Sequence, residues 1–186
     1  MQLTSATEGA NATSARAAMP PQWSEPTRAF VAAAADASSR WILEIPDVVR
    51  AVTAATALLP EPAQATLVGA ALVARRTPTD CVKAIRTAMD AVPGVWGVRE
   101  QVRIAASAVV GTRPLGDIRA AIDNARSATP LVMPDTDKAT VAGMILRSSA
   151  ALADVPAILQ RAQMSGGGLA AINDALWPIA EPPLYS

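Results

Sequence analysis

Histidine is absent from this chain of 186 residues. That removes the commonest general base, the commonest metal ligand and the side chain that titrates near neutrality. A Ser-His-Asp or Cys-His arrangement is therefore impossible. The single cysteine, Cys81, excludes an internal disulfide and leaves no Cys/His cluster for zinc. It lies among residues at helical spacing and reads as a small core hydrophobe. Aromatic residues make up only 3% of the chain, as Phe30, Tyr185, Trp23, Trp41, Trp96 and Trp177. Lysine occurs only at Lys83 and Lys138, so arginine supplies nearly all the positive charge. The longest apolar stretch, residues 51–74, is cut by Pro60-Glu61-Pro62. Neither side is long enough to span a bilayer, and no membrane partner is expected. Met1 to Ser5 shows no basic start followed by an apolar run, so no signal peptide is expected. Basic and acidic residues balance at 16 each, and no net field steers the chain toward nucleic acid or membrane. A soluble protein of a reducing, cytoplasmic compartment is the default expectation.

What the chain does hold is alanine, 42 residues of it, within a hydrophobic content of 51%. Alanine is the best helix former and gives up no side-chain entropy on folding. It also buries little area, so each contact stabilises weakly. Helices built from it approach one another closely, and copies of the same chain are the expected source of further burial.

Prolines mark out the elements. Ser24 with Pro26 opens a helix toward Arg40, and Trp41 to Ile45 is a short apolar connector. Pro46-Asp47 opens a second helix, with Val48, Val49 and Val52 on one side. Pro62 opens a third, ending at Arg75-Arg76, whose charge suits a helix C-terminus. Thr79 or Asp80 caps a fourth, with Val82, Ile85, Met89 and Val92 three and four apart. The fifth carries Val95, Val98, Val102, Ala105 and Val109 at the same spacing. Leu115, Ile118, Ile122 and Ala125 make a sixth. Asp135 or Asp137 caps a seventh, which Pro156 kinks or restarts. Gly166-Gly167-Gly168 reads as a flexible hinge before a last helix ending at Trp177. No alternating run suggests a strand, and no fixed repeat period emerges. The expected fold is all-α, a helical bundle of about seven to nine short helices. Residues 1–23 are expected to be an extended N-terminal arm, 24–177 the bundle and 178–186 an extended C-terminal tail. An arm so poor in large apolar groups is rarely ordered by its own domain, so a neighbouring subunit or a partner is expected to hold it.

The chemistry-bearing candidates are few. Asp135 and Asp137, and Asp117 and Asp123, are carboxylate pairs whose positions suit helix caps. Asp135-Thr136-Asp137 lacks the rest of a calcium loop, and the glycine run lacks the phosphate-loop pattern. No catalytic residue, metal site or cofactor is expected, and the chain is not read as an enzyme. The arginines are the remaining class. Arg99 and Arg103 lie one turn apart on the fifth helix, Arg113 precedes Pro114, and Arg119 and Arg126 sit on the sixth helix around Asp123. Two readings stay open. One is a solvated, salt-bridged face. The other is a basic strip on which phosphate contacts add along a repeating polymer. Aromatics for stacking are missing from this segment, so binding would be backbone-directed and poor in sequence specificity.

The layout resembles the helical coat proteins of rod-shaped plant viruses of the tobamovirus type. The resemblance rests on Trp41 followed by Pro46-Asp47 and two apolar helices joined at Pro60-Glu61-Pro62. It rests also on the arginine-bearing helix from Asp117-Ile118-Arg119 to Arg126. Asp137-Lys138-Ala139-Thr140-Val141-Ala142 then opens a long helix, with Trp177 near the C-terminus. It runs over residues 41–177, while the N-terminal arm is longer and aromatics are scarcer here. It implies a self-assembling structural subunit forming a filament or shell around nucleic acid, single-stranded RNA foremost, located in the virion. By order along the chain, the RNA-facing arginines would fall near Arg113, Arg119 and Arg126. The rival expectation is a non-catalytic helical adaptor or scaffold subunit of a larger protein complex.

Overall fold

Ten α-helices form among the residues described, 9–177, of the computed structural model, and there is no strand. They are α1 (Ala10–Ala18), α2 (Glu25–Asp36), α3 (Ile45–Ala55), α4 (Glu61–Val73), α5 (Pro78–Ala91), α6 (Val98–Val110), α7 (Ile118–Ala128), α8 (Asp135–Arg147), α9 (Val155–Met164) and α10 (Gly168–Leu176). Proline stands in the first turn of α2, α3, α4, α5 and α9, where its missing N–H would have no helical partner anyway. The start of α5 is capped by Thr77, which accepts a hydrogen bond from the Asp80 N–H, rather than by Thr79 or Asp80. Pro156 lies in the first turn of a separate helix, α9, so it restarts the chain and does not kink α8.

The helices pair as antiparallel hairpins, α1/α2, α3/α4, α5/α6, α7/α8 and α9/α10. Each odd helix packs on the next odd helix, and each even helix on the next even one, from one end of the chain to the other. The bundle is thus a two-layered stack of five hairpins, an α-solenoid. The expectation of no repeat is corrected by this geometry. Ile45, Cys81, Ile118 and Val155 open the odd helices at the same fully buried position, 36, 37 and 37 residues apart. On the even helices Val31, Leu67, Ile104 and Val141 share another fully buried position, in the middle of each helix. The turn inside each hairpin recurs as well: the N–H groups of Trp23, Leu59, Trp96 and Met133 donate to the carbonyls of Pro20, Thr56, Pro93 and Pro130.

Small residues set the spacing of the even layer. A Cβ on Gly69 would lie 3.0 Å from the Phe30 ring of α2, and one on Gly143 would lie 2.8 Å from the Ser107 hydroxyl of α6. Ala33, Gly69, Ala106 and Gly143 share one repeat position, and at Gly69 and Gly143 the missing side chain makes room for the Phe30 ring and the Ser107 side chain of the preceding even helix. This is what the alanine and glycine content does inside one chain.

The N-terminal arm expected over 1–23 is also corrected. Residues 10–18 are helical and dock on α2 and α3 of their own chain, burying Ala12, Ala15, Met19 and Trp23. The Asp36 carboxylate accepts from the Gly9 and Ala12 N–H groups, anchoring the start of α1. Residues 1–8 and the expected tail 178–186 lie outside the described residues. The Gly166 to Gly168 run forms the turn between α9 and α10. Gly166 and Gly168 take positive φ of 72° and 58°, and the Gly166 N–H donates to the Gln163 carbonyl to close α9.

Candidate functional site

Three arginines stitch the stack together, Arg113 buried and Arg40 and Arg76 half-buried. Arg40, Arg76 and Arg113 stand at one repeat position, in the linker after each even helix. An α-helix leaves its last carbonyls without internal partners, and a cation there also meets the negative end of the helix dipole. Each arginine serves the end of the following even helix. Arg40 donates through Nη2 to the Ala71 carbonyl at 2.8 Å and through Nε to Leu72 at 3.2 Å. Arg76 donates through Nε to Val109 at 3.2 Å and through Nη2 to Gly111 at 2.8 Å. Arg113 donates through Nε to Ile145 and through Nη2 to Ala150, both at 2.7 Å, and to the Ser148 hydroxyl at 3.1 Å. A further bond links the ladder: Arg40 donates to the Arg76 carbonyl, and Arg76 to the Arg113 carbonyl. Position 150 is alanine, so the ladder ends there. A planar fork suits this double duty where a lysine would not.

Arg113 was a candidate for phosphate contact, and the structure corrects that placement. It is only 7% exposed, and its guanidinium points into the junction between the third and fourth hairpins. Burial lowers the affinity of the guanidinium for its proton, and the Asp117 charge opposes that shift. The other four candidates do not share one face. Arg99 and Arg103 belong to α6 in the even layer, while Arg119 and Arg126 belong to α7 in the odd layer. Arg103 donates to the Thr140 hydroxyl at 2.5 Å, and Arg126 pairs with Asp123 at 3.4 Å. Arg99 and Arg119 are exposed.

Two grooves between hairpins gather side chains that lie far apart in sequence. One, of about 360 Å³ between α4 and α6, has Pro60, Pro62, Ala63, Thr66, Val98 and Val102 as lining, with Arg99 and Arg103 beside them. The other, of about 660 Å³ between α3 and α5, holds Arg50, Lys83 and Arg86 against one acid, Asp47. Its ion pairs are loose, Arg50 with Asp47 at 3.9 Å and Lys83 with neighbouring Asp80 at 4.0 Å, both largely exposed. Sequence reasoning missed this second cluster. The signal was there, because Arg50 and Arg86 occupy one repeat position 36 residues apart, but it is visible only once the repeat is known. The turns inside the hairpins carry a different surface: Leu58, Val95, Leu131 and Val132 are among the most exposed apolar residues, and Leu58, Val95 and Val132 are 37 residues apart.

No group of three or more His, Cys, Asp or Glu residues is placed to hold a metal ion among the described residues. No helix among them is long and apolar enough to cross a membrane. No family model matches this chain, and no curated protein or solved structure matches it.

Proposed function

We propose that this chain is a non-catalytic helical scaffold, an adaptor subunit that works by docking a protein partner along its stacked hairpins. One observation carries the reading: Leu58, Val95, Leu131 and Val132 expose aliphatic surface at the same turn of three successive hairpins. Scattered apolar residues on a surface need no explanation, but a row in register with the repeat is a surface suited to a partner. A solenoid suits this role, because stacked repeats offer an extended surface without a reaction centre. Under this reading the protein works in the cytoplasm.

A second reading keeps the coat-protein expectation, a virion subunit packing single-stranded RNA. The Arg50, Lys83 and Arg86 cluster favours it, with exposed Arg119 on the same layer. Phosphate contacts of this kind would be poor in sequence specificity and would weaken as salt rises. Arg99, Arg103 and Arg126 would contribute from the flanks.

The two readings separate on the purified chain by electron microscopy, sedimentation and the absorbance ratio at 260 and 280 nm. A nucleic-acid-free particle supports the scaffold. Rods carrying nucleic acid would sink it in favour of the coat subunit. Charge reversal at Arg50, Lys83 and Arg86 should then abolish packaging while helicity is retained.

A further inference from the structure

Among the described residues, the side of each hairpin that faces the next one is covered four times and left open once. Between α9 and α10 lies a groove of about 320 Å³ lined by Ile158, Ala162, Ala171 and Ala175, with Arg161 and Ser165 also on it. Ile158 and Ala162 stand at the repeat positions of Ala121 and Ala125 on α7, and of Ala84 and Ala88 on α5. Those four alanines are fully buried. The next odd helix packs on each of these, α7 on α5 and α9 on α7, whereas α9 carries no further odd helix among the described residues and buries Ala162 and half-buries Ile158 within its own chain. The groove on α9/α10 is therefore a junction surface without its junction among the described residues.

What fits it is stated by the four junctions already made, each filled by a hairpin of the same two-helix kind. The opposite end of the stack supplies one. On α2, Ala33 stands where Gly69, Ala106 and Gly143 stand in later hairpins. Gly69 and Gly143 lie against Phe30 and Ser107 of the preceding even helix. Among the described residues no even helix precedes α2, and Ala33 is exposed, as are Ala29 and Ala37 beside it. We infer that copies of this chain stack head to tail, with α1/α2 of one copy seated in the α9/α10 groove of the next. This continues the internal junction across chains. Such a contact joins two different surfaces, and it grows a filament where the rotation from copy to copy does not close a ring. The inference deepens the self-assembly part of the coat reading and needs no nucleic acid.

Sedimentation velocity of the nuclease-treated full chain tests it. The sedimentation coefficient should climb with concentration, and Ala175→Arg or Ala33→Arg should each hold the protein at the monomer with its helical circular dichroism unchanged. Mixing the two variants should give a dimer and nothing larger, because one variant keeps a free head and the other a free tail. A monomer at every concentration would overturn the inference, as would growth that ignores both substitutions. Growth seen only after deletion of residues 178–186 would overturn it too, by showing that the chain's own terminus fills the groove. Growth seen only with added single-stranded RNA would also overturn it, while leaving the coat reading standing. Oligonucleotide binding by the two variants, followed by fluorescence anisotropy, reports on that reading separately.

Discussion

Replacing Arg113 with methionine tests the arginine ladder at its most buried rung. The substitution keeps an unbranched stem of comparable reach and removes three hydrogen bonds, to Ile145, Ala150 and Ser148. Bonds from a charged donor are worth about 1.5–3 kcal/mol each before losses. Two effects reduce the sum. The guanidinium is already taken out of water, at a cost that its removal returns. The Ile145 carbonyl also keeps the Ser148 N–H and hydroxyl as partners, at 3.2 and 3.0 Å. The Ala150 carbonyl loses its arginine donor. A net loss of about 2–3 kcal/mol is expected for Arg113→Met, and about 1–2 kcal/mol for Arg113→Lys, which keeps a charge but not the fork. Urea unfolding followed by circular dichroism reads this directly. Because each hairpin couples only to its neighbours, the cut should also separate the last two hairpins from the first three. A lower slope or a second transition is therefore expected with the shifted midpoint. An unchanged slope with a loss below about 0.5 kcal/mol would refute a stabilising role for the ladder.

Three other outcomes follow from the same geometry. Gly111→Ala should destabilise by about 1–3 kcal/mol in the same urea assay, because its Cβ would lie 2.3 Å from the Leu146 carbonyl oxygen, a backbone atom that cannot swing away. Glu61, at the start of α4, accepts from the N–H and hydroxyl of Ser24, and these bonds hold its carboxyl below the ordinary glutamate range. A depressed folded value means the stabilisation is complete above the unfolded pKa and is lost as pH falls through the folded one, so Glu61→Gln should flatten the acid side of the stability–pH curve. Burial pushes the Cys81 thiol up, with Arg40 and Arg76 opposing. It should stay unreactive to a disulfide reagent until urea opens the chain, and prompt labelling of the native protein would contradict its place in the core.

Much of this protein was legible along the chain. The absence of histidine excluded histidine-dependent chemistry, and Pro26, Pro46, Pro62 and Pro156 marked helix starts because proline's fixed φ and missing N–H suit only the first turn. The buried stripes of α6 from Val102 and of α7 from Ile118 followed from three- and four-residue spacing, which depends on each helix alone, while on α5 the expected Val82 and Met89 are only half-buried. Val95 and Val98 broke that pattern: both continued the apolar spacing of α6 yet are exposed, Val95 in the preceding turn and Val98 at the start of the helix. The helix over residues 10–18 was missed because Ala12 and Ala15 carry too little apolar contrast to show a face, and only docking on α2 and α3 makes them core. The arginines divided in the same way. Nothing local distinguishes buried Arg113 from exposed Arg119, since the carbonyls that hold Arg113 lie 32 to 37 residues away. Local spacing thus determined that the chain is helical and where most helices begin. The stacking of hairpins decided which alanines pack, which arginines are structural and which surfaces remain open, because those properties belong to pairs of residues one repeat apart.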